Sequence, residues 1–120
     1  MRRPVKDECE VLYVNRKTVR DIGARMPSHE VVSVMAETFG LLADPTRLRI
    51  VQALSRGELC VCDLAAMLGA GRTSVSNHLR LLRSMRLVRH RRDGKLAYYS
   101  LSDSHIAALL KECLEHVIEL

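Results

Sequence analysis

Two sets of residues in this chain have the chemistry of metal ligands. Asp103, His105, His116 and Glu119 bring two imidazoles and two carboxylates together near the C-terminus. A four-donor N/O set of this kind suits Zn²⁺ in a tetrahedral arrangement. Cys60 and Cys62, with Asp63 beside them, form the second set, and Cys9 near the N-terminus offers a third thiol. Thiolates select soft ions, here Cd²⁺, Pb²⁺ or Zn²⁺. Blander readings compete: Asp103 as a helix cap followed by a solvated face, and Cys60 and Cys62 as small apolar core residues. Cys113 falls on an apolar stripe and reads as core.

Geometry limits both sets. His105 and His116 are eleven residues apart on one expected helix. That leaves them about 20° from a common face but about 16 Å apart along the axis. One zinc with bonds of about 2 Å cannot reach both. Antiparallel pairing of two copies of the helix removes the difficulty. It sets Asp103 and His105 of one subunit beside His116 and Glu119 of the other, giving two sites per dimer by symmetry. Cys60 and Cys62 lie on different sides of any regular helix, so they converge only where the chain is still entering one. A helix start also favours the thiolate form.

The elements that must position these residues centre on the segment from Leu68 to Arg92. Gly69-Ala70-Gly71 makes a tight turn, and Val75, Leu79, Leu82 and Met85 then recur at helical spacing. The polar face carries Arg72, Ser74, Ser76, Asn77, His78 and Arg80, groups that reach phosphates and base edges. With a short helix from about Asp63 to Leu68 before it, the pattern is a helix-turn-helix. Asp93-Gly94 then separates two strand-like runs, and the tip between them carries Arg89, Arg91, Arg92 and Lys95. A basic hairpin there is a wing laid along phosphates.

Earlier helices start at Ser28 and at Asp44-Pro45, a capping acid followed by proline at the first helical position. The closing helix runs from about Asp103 to Ile118, with Ile106, Leu109, Leu110, Cys113, Leu114 and Val117 on one stripe. That stripe is wide for a terminal helix and reads as half of a dimer interface. The expected fold is therefore mainly α with a small β-hairpin, a winged helix-turn-helix dimerising through N- and C-terminal helices. Residues 1–26 form a partly ordered arm that supplies a metal ligand, and residues 27–120 form the winged-helix and dimerisation domain.

Composition narrows the partners. The formal charge of +5 favours a polyanion, and 3% aromatic content within 48% hydrophobic residues suits helix-on-helix packing. No apolar run is long enough for a bilayer and the N-terminus has no signal-peptide core, so a cytoplasmic location with reduced thiols and no membrane partner is expected. No nucleophile–base set or phosphate loop is present, which argues against an enzyme.

Taken together, LLADPTRLRI (41–50), ELCVCDLA (58–65), SVSNHLRLLR (74–83) and the D-x-H-x10-H-x2-E pattern resemble the ArsR/SmtB family of metal-sensing winged-helix repressors. The resemblance spans nearly the whole chain. It implies a homodimer that holds double-stranded operator DNA when metal-free and releases it on binding metal, controlling genes for metal efflux or sequestration. It matches Cys60 and Cys62 to the thiolate metal box, Cys9 to a cysteine of the N-terminal arm, and the Asp103–Glu119 set to an interhelical zinc site. It also implies a hydrogen bond from the second ring nitrogen of His116 to backbone near Arg86. One departure is Tyr13, where cadmium/lead sensors carry a second arm cysteine. The fourth ligand of the thiolate site is then Asp63, water or nothing. Two other functions fit the residues: a thiol redox repressor that oxidises Cys60 and Cys62, and a metal buffer with no specific operator.

Overall fold

The structure, a computed structural model, describes residues 7–120. The first six residues of the expected N-terminal arm lie outside the described residues. The chain divides into two compact units, one ending at Ser33 and one running from Val34 to Leu120.

In the first unit, α1 spans Arg16–Gly23, with the Asn15 side chain accepting from the Thr18 N–H at 3.1 Å. The arm is thus helical over part of its length, with a side-chain cap as the local reason. α2 spans His29–Leu42, and Ser28 Oγ accepts from the Val31 N–H at 3.2 Å, the cap expected from sequence.

The second unit opens with the last turns of α2. α3, Pro45–Leu54, starts at Asp44, whose carboxylate accepts from the Arg47 N–H at 2.9 Å. A two-residue strand, β1 (Leu59–Cys60), leads straight into α4 (Val61–Leu68). Gly69 ends α4 at φ 61°, and Ala70 N–H returns to Ala65 O at 3.0 Å, so the glycine turns the chain without a side-chain penalty. α5, Arg72–Ser84, follows after Ala70 and Gly71. The hairpin pairs β2 (Val88–Asp93) with β3 (Leu96–Leu101), and α6 covers Ser104–Ile118.

The sheet is antiparallel in the order β1-β3-β2. Leu59 faces Tyr99 and Cys60 faces Tyr98 on one side of β3, while His90 faces Tyr99 and Arg91 faces Tyr98 on the other. The third strand was not expected. Two residues carry no alternation, and only their partner strand makes them a strand.

The core gathers Ile50, Val51 and Leu54 of α3, Leu64 and Ala65 of α4, and Val75, Leu79 and Leu82 of α5, with Val88, Tyr99 and Leu110. The spacing of the α5 stripe is thereby explained: its apolar residues are the face turned into this core. No helix among the described residues is long and apolar enough to cross a membrane.

The apolar stripes of α2 and α6 outrun this core. On α2 only Leu42 is buried, while Val34, Met35 and Phe39 are about half exposed. On α6 only Leu110 is buried, and Leu114 and Val117 are 41% and 54% exposed. Cys113 corrects the expectation from sequence: it is exposed, since the core takes in only Leu110 of α6.

Candidate nucleic-acid interface and metal sites

α5 presents its polar residues opposite the buried stripe. Arg72, Ser74, Ser76, Asn77 and Arg80 are all exposed. The N-terminal end of α5 meets the wing around a pocket of about 410 Å³. Arg72, Thr73, Ser76 and Asn77 line it from α5, and Arg92, Lys95, Leu96 and Ala97 from the hairpin. Cys60, Val61 and Cys62 complete the wall. Three cationic side chains and a helix N-terminus on one concave surface favour anionic ligands, DNA phosphates among them.

Two residues expected on the DNA face are engaged elsewhere. His78 is half-buried, and its Nδ1 lies 3.4 Å from Arg47 Nη1, so one ring nitrogen is turned toward α3. Arg91 is taken by Glu58: Nε lies 3.2 and 3.1 Å from the two carboxylate oxygens, and Nη2 donates to Oε1 at 2.7 Å. Its guanidinium also sits 4.8 Å over the Tyr98 ring. This hydrogen-bonded pairing holds the Glu58 carboxyl below its usual range and raises Arg91 further. Arg91, expected on the DNA face, is thus paired with Glu58.

Glu58 and Arg47 were not singled out in the sequence. Their partners lie 33 and 31 residues away, and no local spacing signals such pairs. His90 gains partners in the same way, stacking on Tyr99 with centroids 5.4 Å apart and meeting Arg83 Nη1 at 3.0 Å.

Among the thiols, Cys60 is the N-cap residue of α4 and buried, whereas Cys62 stands in its first turn and is exposed. Both line the one pocket. Asp63 is exposed in the same first turn. Cys9 is exposed in the first unit. The thiols of Cys60 and Cys62 suit a thiophilic ion by type, and the two residues share one pocket wall.

On α6, Asp103 is the N-cap and accepts from the His105 N–H at 2.9 Å. Its Oδ1 also stands 3.5 Å from His105 Nδ1. The His105 side chain is 88% exposed, and His116 and Glu119 are exposed at the far end of the helix. Among the described residues of one chain, no three His, Cys, Asp or Glu side chains converge on a metal position. The α6 donors fit zinc by type, as two half-sets at opposite ends of one helix.

Residues 44–90 match the model of the arsR family of bacterial regulatory proteins. The chain is 46% identical over 111 residues to a transcriptional repressor SmtB homolog of Synechocystis, covering 92% of this chain and 84% of that protein. It is 38% identical over 112 residues to a cadmium resistance transcriptional regulatory protein CadC homolog of Staphylococcus aureus, covering 92% of each. The chain belongs to the ArsR/SmtB family. Its fold is similar to the solution structure of a homodimeric winged helix-turn-helix DNA-binding domain from Mycobacterium bovis. There the TM-score is 0.66 at 28% identity, over 89% of this chain and 87% of that one. In this ArsR/SmtB chain, α4 and α5 form the helix-turn-helix and β2–β3 the wing.

Proposed function

We propose that this protein is a metal-responsive transcriptional repressor that holds operator DNA as a metal-free homodimer and releases it on binding Zn²⁺, Cd²⁺ or Pb²⁺, so controlling genes for metal efflux or sequestration. One observation carries the reading. Cys60 and Cys62 line the same pocket as Arg72, Ser76, Asn77, Arg92 and Lys95. Donors for a soft metal and groups for DNA phosphate thus share one wall, so occupancy of either is felt by the other. By linkage, a metal that weakens DNA binding is itself weakened by DNA to the same degree.

Cys60 and Cys62 would hold Cd²⁺, Pb²⁺ or Zn²⁺, with Cys9 as the third donor and Asp63 as a further candidate. Asp103 and His105 of one subunit, with His116 and Glu119 of the other, would hold Zn²⁺. A bound ion would supply bonds that tie these donors together. The exposed stripes on α2 and α6 support the dimer, because apolar faces of that extent need a covering surface. The family relatives bearing SmtB and CadC names support the metal response.

The experiment is operator binding by fluorescence anisotropy for the parent, Cys60→Ser and His105→Ala, each titrated with Zn²⁺, Cd²⁺ and Pb²⁺. Couplings of about 1–3 kcal/mol, or roughly 5–150-fold in affinity, are expected. Release by peroxide but by none of the three ions would replace metal sensing with thiol oxidation.

A further inference from the structure

The ion pair between Glu58 and Arg91 is placed where a phosphate contact was expected. Arg91 lies on the wing, and wings of this fold track the DNA backbone through their basic residues. Arginine engages phosphate with a pair of N–H donors, the same fork that grips a carboxylate. Here Nε and Nη2 are both turned to Glu58, with the shortest contact at 2.7 Å. The register explains how the carboxylate reaches. Arg91 faces Tyr98 across β2–β3, Tyr98 faces Cys60 across β3–β1, and Glu58 stands at the entrance to β1. Its side chain spans the central strand to meet the guanidinium, which lies over the Tyr98 ring.

The neighbouring wing cations are arranged differently. Arg92 and Lys95 line the pocket beside Arg72 and Asn77 and have no ion-pair partner among the described residues. The Arg91 and Glu58 side chains are 54% and 36% exposed, and exposed pairs of this kind contribute little to stability. A carboxylate beside a phosphate-tracking wing otherwise only repels DNA. The pair therefore has more consequence for DNA binding than for folding.

We propose that Glu58 acts as a built-in substitute for a DNA phosphate, holding the Arg91 guanidinium so that Arg91 adds no phosphate contact to the DNA-bound wing. Glu58 is thus a positioning residue that lowers affinity by one cation per subunit. This rests on the DNA-binding reading above but not on metal sensing.

The test uses the full chain in EDTA with a labelled generic duplex of about 30 base pairs, since phosphate contacts are read without regard to sequence. Affinity is measured across a potassium chloride series for the parent, Glu58→Gln, and the double variant Glu58→Gln/Arg91→Gln. Freeing Arg91 steepens the slope of log affinity against log salt by about 0.9 per bound subunit. The double variant removes the pair without changing net charge and keeps the parent slope. A Glu58→Gln line parallel to the parent, or a double variant shallower than the parent, overturns the proposal. If Glu58→Gln does not fold by circular dichroism, the double variant alone decides between these outcomes. A parent that binds no duplex at any salt overturns the DNA-binding reading together with this one.

Discussion

Arg47 on α3 reaches His78 on the recognition helix, with Nη1 and Nδ1 3.4 Å apart. The same guanidinium donates through Nε to the Leu41 carbonyl at 2.7 Å, at the end of α2. One side chain thus ties the α2–α3 corner to the helix that reads DNA. Arg47→Met is expected to lower unfolding free energy by about 1.5–3 kcal/mol, the range for hydrogen bonds that involve charged groups. In a urea double-mutant cycle with His78→Ala, a coupling above about 0.5 kcal/mol is expected. Strict additivity would show that the pair contributes nothing.

Arg86 takes the left-handed conformation, φ 59°, where α5 ends. Leu87 N–H bonds back to Leu82 O at 3.0 Å across it, so the turn that launches β2 depends on this backbone. A side chain there costs about 1–2 kcal/mol that glycine avoids. Arg86→Gly should raise the melting temperature and Arg86→Val should lower it, as read by circular dichroism. A drop with glycine would refute the strain argument.

Asp44 couples the start of α3 to pH. The Arg47 N–H bonded to its carboxylate is the main reason its carboxyl titrates below the usual range. A depressed carboxyl contributes stability that is present above its unfolded value and lost as pH falls through the folded one. Asp44→Ala should therefore melt a few degrees below the parent at pH 7, with the gap narrowing toward pH 3. A gap independent of pH would mean that the ionised carboxylate plays no part.

Asp103 caps α6, and the zinc site proposed above would give it a second role. Asparagine caps a helix as well as aspartate but is a poorer metal ligand. In EDTA, Asp103→Asn should match the parent melting temperature while Asp103→Ala falls below it. Zinc affinity by calorimetry should fall in both by at least about 10–100-fold, the loss seen for weaker outer contacts. Retained affinity would remove Asp103 from the ligand set.

The two box thiols should differ in reactivity. Cys62 is exposed and Cys60 buried, so a thiol reagent added without metal should label Cys62 quickly and Cys60 slowly. Excess Cd²⁺ should protect both, read by mass spectrometry. Equal rates would contradict the burial difference.

Much of this was legible in residue order. The Val75–Leu79–Leu82 period, the Asp44-Pro45 start, the Gly69 turn and the Asp93-Gly94 hairpin are each decided within a few residues, so local preference suffices. The candidate metal donors stand out by type alone, because thiols and imidazoles declare their chemistry. Their grouping was legible only in part. The pocket lined by Cys60, Cys62, Arg72 and Arg92 forms from five separate elements, β1, α4, α5, β2 and β3.

Residue order alone marks the starts of α2 and α3, the turns at Gly69 and Gly94, and which side chains have chemistry to offer. Which cations stay free depends on packing between distant segments. Glu58 captures Arg91 and Arg47 turns His78, because side chains far apart in sequence meet once strands pair and helices pack. Tertiary structure also decided that Cys113 is exposed rather than core. Leu110 is the one buried residue of α6, and periodicity alone does not say where a core ends.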